Sequence, residues 1–574
     1  MQLPVYLFRF GFVLLALVAC GDNGTPPEVD PPEVDPPVVN PPVVTPPEGP
    51  YEYDDDLDYD SEAFLKAYKG ILYKGAHHIP GTLEAEDFDE GAQNVAYYES
   101  DTKPADAGYR GAHAVDVRAD GNASGGYYIG DVQPGEWMCY TIEVDEDGAY
   151  SIDTYCVKGD GSEGSFYFEV DGRGASRGIA MPLGGWTDFS HKATAEDIQL
   201  TKGKHVLKYF GSTPGNIDKF VFRRTGKLEE LSSSFTYPVT KSMSNPLFTG
   251  FDSPMYNSWL KGPLYTADAS AHVWNINGKE VLYVYASHVM EPALGCDRMD
   301  RYHVFSTEDM VNWTDHGEIM NAATVRLHAG WGCDGFMWAP DCVYNPADQT
   351  YYFYFPHPSN AANWNKTWRV GVATSKYPDK EFRVVAYVEG MPAEIDPCVF
   401  IDDDGQAYIY WGNGRMYMAK LTDDMMSIDG EIHTITPSNF REGAFVIKRN
   451  GIYYFMWSDN DTGEPTYEVR YGTSNSPYGP IQGNTRILTY SNTDDSRIRG
   501  TGHHSVINVP GTDDWYICYH RFNVPRYGTV TSKNSEAGNH REICIEKMEF
   551  DENGNIKPVT ATLKGITEPV TIER

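Results

Sequence analysis

Short runs of aromatic and β-branched residues recur through the second half of the chain, at Val281–Tyr285, Tyr351–Phe355, Tyr408–Trp411, Tyr453–Trp457 and Trp515–Tyr519. They are spaced roughly 45 to 70 residues apart, the period of a small sheet repeated around an axis. The clearest unit is Val399–Ile401, then the turn Asp402-Asp-Asp-Gly405, then the return strand Ala407–Trp411, with Gly placed where a left-handed backbone is needed. Nearer the N-terminus the pattern changes to alternation, in Trp137–Val144, Ser165–Val170 and His205–Phe210, separated by Gly- and Asp-rich turns. Such strands predict a β-sandwich. The pattern therefore predicts an all-β protein with a β-sandwich over residues 79–224 and a five-bladed β-propeller over 245–560.

The flanking segments read differently. Residues 1–19 carry one positive charge, Arg9, and the apolar run Phe10–Ala19, too short to span a bilayer and typical of a signal peptide. Leu17-Val-Ala-Cys20 is similar to a bacterial lipobox, which implies that Cys20 becomes the lipidated N-terminus; ordinary secretion with an incidental Cys is the competing reading. Residues 20–60 repeat Pro-Pro-Glu-Val-Asp and variants, an extended polyproline-like spacer ending in an acidic, solvated run. A polar, Ser-rich linker occupies 225–244. The expected location is the cell envelope, lipid-anchored to the outer membrane and facing the surface or the periplasm.

Composition narrows the partners. The chain has 574 residues, enough for two or three domains, and a formal net charge of −36, which argues against nucleic acid and against polyanions. A near-neutral substrate suits it better. Forty Tyr and twelve Trp fit both strands and sugar stacking. Of nine Cys, eight remain beyond Cys20; an oxidising compartment permits disulfides, with Cys139–Cys156 and Cys296–Cys333 as candidate pairs. No Cys or His spacing suggests zinc.

Three carboxylates stand just before turn-linked strand pairs: Asp268, Asp396 and Glu442. A lone Asp-Pro such as Asp396-Pro397 more often caps a turn. Three acids at equivalent edges of different blades would converge on one axis, and converging carboxylates are the equipment for hydrolysing a glycosidic bond. Ala267-Asp268, Trp338-Ala-Pro-Asp341, Ile395-Asp396-Pro397 with Phe400–Gly405, Glu442-Gly443 with Lys448, and Gly500-Thr-Gly-His-His-Ser505 resemble glycoside hydrolase family 43, from about Asn245 to Pro558. The resemblance implies a five-bladed β-propeller and hydrolysis with inversion. It implies Asp268 as base, Glu442 as acid and Asp396 as the neighbour that raises the pKa of Glu442. The family usually has Asp-Pro at the first acid; here it is Asp268-Ala269. Trp338, His288 and Arg521 are expected substrate contacts from their places beside blade edges.

In the first domain, Thr82–Phe88, Gly135-Glu-Trp137, Gly184-Gly-Trp186 and Asn216–Phe220 resemble carbohydrate-binding module family 6, a jelly roll. The resemblance implies that Tyr109 and Trp186 stack a sugar and Asn216 bonds its hydroxyls. It also implies a structural calcium on Glu84, Glu86 and Asp218, oxygen ligands that suit this ion. Core packing is the competing reading for both aromatics. The resemblance to glycoside hydrolase family 43 implies that His503, after Thr501-Gly502, lies near the propeller axis with a calcium nearby, and a plain hydrogen-bonded role is the competing reading. His504, the next residue on a strand, should face the other way.

The expected activity is an exo-acting α-L-arabinofuranosidase on plant cell-wall polysaccharide. A β-xylosidase, an endo-arabinanase or a galactan-cleaving enzyme are the alternatives within the family. A catalytically inactive surface glycan-binding lipoprotein is the alternative outside it. Oligomeric state is not legible in the sequence.

Overall fold

A computed structural model of the chain describes residues from 64 to 572, with breaks of which the longest are 101–106, 229–234, 237–244, 249–263, 290–298, 326–332 and 491–497. Cys20, the proline-rich spacer and Cys296 lie outside the described residues. Among those residues no helix is long and apolar enough to cross a membrane.

The first domain has two sheets. One runs in the order His77–Ile79, Trp137–Val144, Gly203–Gly211, Ser165–Val170, Ile179–Ala180; the other in the order Lys192–Leu200, Gly148–Val157, Gly215–Gly226, Tyr127–Val132, Val117–Ala119. The alternation in the sequence has its cause here. Tyr140, Ile142, Phe166, Phe168, Leu207 and Tyr209 of one sheet meet Tyr150, Ile152, Ile217, Phe220 and Phe222 of the other in one apolar core. The opposite face of the first sheet is covered by Phe64, Leu65 and Tyr68, packed on Trp137, Tyr167 and Phe210. Cys139 and Cys156 lie on different sheets and in different clusters, and no disulfide joins them. The Cys139–Cys156 expectation assumed that the two strands were neighbours, and they are not.

Residues 235–560 form five separate sheets in chain order, of five, four, four, five and three strands. Each aromatic run seen in the sequence is the second strand of its sheet, lying within Lys279–Val289, Thr350–Pro358, Ala407–Trp411, Ile452–Asp459 and Trp515–Phe522. These strands are buried on both faces, so they read as continuous apolar runs. The preceding strands are Tyr265–Ile276, Asp341–Asn345, Cys398–Ile401, Glu442–Arg449 and Gly502–Asn508. They touch one another in sequence order, and the last touches the first, so the sheets close into a ring.

Two devices tie that ring together. Asp341 accepts from Ser270 Oγ of the first sheet at 2.8 Å and from Val399 N of the third at 2.7 Å. At the closure, Leu247 N donates to Ile543 O at 2.9 Å and Asn245 Nδ2 to Glu546 Oε1 at 2.9 Å and Thr562 O at 3.2 Å. The residues ahead of the first inner strand and those around Thr562 are thus stitched to the same strand.

Candidate active site

The inner strands begin with a repeated irregularity. Asp268 (φ 57°), Asp396 (φ 60°), Gly443 (φ 61°) and His503 (φ 42°) all have left-handed backbone. Strand register slips beside three of them, between Ala267 and Ser270, Glu442 and Phe445, and Gly502 and Ser505. Such bulges re-aim a side chain out of the sheet's alternation. They bring Asp268, Asp396, Glu442 and His503, from four different sheets, into one electrostatically coupled group.

The acids differ sharply in environment. Asp268 Oδ1 lies 2.6 Å from Arg541 Nη1, 3.2 Å from His520 Nδ1 and 3.6 Å from His503 Nδ1. Burial opposes its charge, but Arg541, with His503 and His520 behind it, outweighs burial and holds the carboxyl well below the usual range. His520 is itself kept neutral, burial pushing it down to about 3.

Glu442 accepts from Tyr467 Oη at 2.8 Å through one oxygen and from Asn413 Nδ2 at 2.8 Å through the other. Burial raises its pKa; His503, Arg441 and the Tyr467 hydroxyl pull down without cancelling that. Asp396 is raised further, by burial first and then by the charges of Glu442 and Asp268, against one N–H bond from Gly443 at 3.2 Å. An acid displaced downward and acids displaced upward thus share one site, the separation that acid–base hydrolysis requires.

The other expected contacts divide. Trp338 is half-buried, packed on Tyr265 and Met299 and 4.5 Å, ring to ring, from Trp368, with Trp364 at 5.6 Å. His288 is only 2% exposed, as buried as the acids themselves, set edge-on to His303 at 4.6 Å and held neutral by burial. Arg521 is a correction. Its Nε donates to Glu542 at 3.2 Å and its Nη1 to Thr562 O at 3.1 Å, inside the last sheet. Register explains the difference: Arg521 lies opposite Glu542, whereas Phe522 lies opposite Arg541, so Arg521 and Arg541 face opposite sides. The arginine at the site is Arg541, which nothing in the sequence marked. His503 stands beside Asp268, stacked at 6.1 Å on His520, and His504 is buried against Phe445.

In the first domain Trp186 is 40% exposed, its indole lying so close over Gly159 that a Cβ there would come within 2.4 Å of the ring. Asn216 is buried; its Nδ2 donates to Trp186 O at 2.7 Å and its Oδ1 accepts from Asp131 N at 2.9 Å. It therefore holds the Trp186 backbone. Tyr109 is half-buried, its hydroxyl donating to Asp87 at 2.6 Å and its ring covered by Lys74 at 3.9 Å. Ser124 donates to Glu84 through its hydroxyl and to Asp218 through its N–H, and Glu86 lies close enough to feel the charge of both acids. Glu84 Oε2 and Glu86 Oε2 are buried with no hydrogen-bond partner, and burial with the neighbouring acids pushes Glu86 up to about 8. Two orphaned carboxylate oxygens fit a hard cation, although among the described residues no group of three or more acids, His or Cys is already drawn together as a metal site.

Comparison with known proteins bears on both domains. The model of carbohydrate binding module family 6 matches residues 107–224, and that of glycosyl hydrolases family 43 matches 268–556. The chain is 31% identical to a β-D-galactofuranosidase of Aspergillus niger over 58% of this chain and 94% of that one. It is 30% identical to xylosidase/arabinosidase 43A of Humicola insolens, covering 51% and 96%. An arabinoxylan arabinofuranohydrolase of Paenibacillus polymyxa is 29% identical, covering 47% and 45%. Among solved structures, CoXyl43, a family 43 β-xylosidase/α-arabinofuranosidase from a compost metagenome, is 26% identical, covering 52% and 95% with a TM-score of 0.42. With three acids gathered at the heads of inner strands and a family match across half its length, the chain belongs to glycosyl hydrolase family 43, a glycosidase with a β-propeller catalytic domain.

Proposed function

We propose that the protein is an inverting, exo-acting α-L-arabinofuranosidase of plant cell-wall polysaccharide. The observation that carries the reading is the placement of two buried acids in one site, Asp268 against Arg541 and Glu442 against the neutral donors Tyr467 and Asn413. Asp268 takes a proton from water as that water attacks the anomeric carbon. Glu442 gives its proton to the departing oxygen, and the glycosidic bond breaks. Asp396 stays protonated beside Glu442 and limits the charge that would otherwise gather there. Each of the five sheets is read as one blade.

The names of relatives favour a furanose. One is called an arabinofuranohydrolase and another a galactofuranosidase. α-L-Arabinofuranose and β-D-galactofuranose share their ring configuration and differ in the exocyclic group at C4. A β-xylosidase is the second reading, since a relative is also named xylosidase/arabinosidase, and a galactofuranosidase is the third. Release of free sugar from arabinan, arabinoxylan and galactofuranosides is the test. L-Arabinose should dominate, and xylose as the main product would displace the reading.

Around this core, the first domain is proposed to bind the same polysaccharide through Trp186, with Tyr109 and Asn216 supporting the cleft. Glu84, Glu86 and Asp218 would hold a calcium ion, which would supply a charge anchor for the turn and no chemistry. Cys20 is proposed as a lipid anchor in the outer membrane. Membrane release of a Cys20→Ser variant checks it.

A further inference from the structure

The last sheet carries an insertion that the catalytic machinery does not use. Residues 523–540 leave the strand Trp515–Phe522 and return at Arg541, the residue that grips Asp268. Asn523 caps the short helix Val524–Tyr527, and Tyr527 and Ala537 pack on Phe522. The segment then reaches in two directions.

Towards the fourth sheet, Lys533 Nζ pairs with Asp461 at 3.0 Å and Asn534 N donates to Gly463 O at 2.9 Å. The approach is tight: a Cβ on Gly538 would lie 3.1 Å from Gly463 Cα and 3.2 Å from Thr462 O. Asp461 also pairs with Arg441, the neighbour of Glu442, at 3.3 Å, and Thr462 Oγ1 accepts from Arg541 at 3.4 Å. Towards the first sheet, Arg526 donates to Tyr265 Oη at 3.4 Å, and His540, bonded to Tyr527, meets the Tyr265 ring edge-on at 5.0 Å. Tyr265 stands three residues before Asp268 on the same strand.

We propose that residues 523–540 are the end wall of the substrate pocket. The segment bridges the fourth, fifth and first sheets directly beside the base and the acid. On the side of the second and third sheets, the described residues present the half-buried indoles of Trp338 and Trp364 instead. A chain cannot run on through the bridge. One sugar residue therefore fits beyond the scissile bond, and the enzyme removes single terminal or branch residues. This rests on the glycosidase reading above and specifies which element makes it exo-acting.

The test uses full-length enzyme and pentose oligosaccharides five residues long, of arabinose or xylose, labelled at the reducing end. Label should pass first to the product one residue shorter. Early label in products two or more residues shorter would overturn the wall while leaving the family chemistry intact. Single release of xylose in place of arabinose would keep the wall and overturn only the sugar assignment. Gly538→Val forces the bridge off Gly463 and should raise the KM for the oligosaccharide several-fold and admit internal cleavage, with an aryl glycoside still turned over. Should that variant not fold, Lys533→Ala removes the ion pair alone and should shift the same ratio in the same direction. A folded variant with the parent's product spectrum and KM would refute the assignment.

Discussion

Arg541 decides what Asp268 can be. A carboxylate 3% exposed would take up a proton if left alone. With a guanidinium at 2.6 Å it stays ionised far into acid, which a base needs. Arg541→Lys should therefore move the acidic limb of the pH–rate profile to higher pH, a shift that a merely structural arginine would not produce. Glu442 sets the other limb. Its raised pKa keeps the proton in place above the ordinary carboxylate range, and activity falls as pH rises through that value. Asp396 is raised further still and stands beside Glu442 protonated, so Asp396→Asn should leave the alkaline limb where it is; a limb moved to lower pH would show that Asp396 carries charge there. Glu442→Gln should lose far more rate on a natural substrate than on a nitrophenyl glycoside, whose leaving group needs no proton. Asp268→Asn should lose both. The three acids were legible in the sequence because each sits in a short local motif. Arg541, His520, Tyr467 and Asn413 were not, since each is distant in sequence from the acid it serves and only the ring brings them together. Arg521 was misread because alternation flips a side chain's face with every residue, and the strand's register is invisible without its partner.

Among the elements, the inner strands show how local chemistry gives way to tertiary demands. The aromatic runs announced the second strand of every sheet, since burial on both faces leaves an unbroken apolar signature. The inner strands carry acids, histidines and glycines and left a fainter one. Their bulges exist to aim side chains. Gly443→Ala places a Cβ 3.2 Å from Ser458 Oγ and 3.4 Å from His503 in a left-handed backbone. It should cost about 1 to 2 kcal/mol of stability, and the rate should fall as Glu442 turns. Asp341→Ala leaves Ser270 and Val399 N, both buried, without their acceptor. A loss of about 3 kcal/mol is expected, read as a lowered midpoint in urea.

At the scale of the molecule, two polar seams govern stability. In the first domain, a chelator should lower the melting temperature if calcium occupies the Glu84–Glu86–Asp218 turn, and Glu86→Gln should abolish the difference. At the ring closure, burial pushes Glu546 up to about 7 from its ordinary 4.5. The folded state then binds more protons than the unfolded one between those values. Stability is greatest below the lower value and declines as pH rises through the higher one. Glu546→Gln keeps the acceptor for Asn245 and Thr562 and should flatten that decline.

The stitching of residue 245 and residue 562 to one strand has a consequence for how such a protein can be rebuilt. The two ends of the ring lie side by side, so a short peptide could join them and the chain could be opened elsewhere. An exposed turn at the far end of an inner strand, such as Asp403–Gly405, is a natural place to cut. The circularly permuted enzyme would keep every inner strand and every acid where it is. It would also free the old junction, so that a sugar-binding domain could be grafted at a different angle to the pocket.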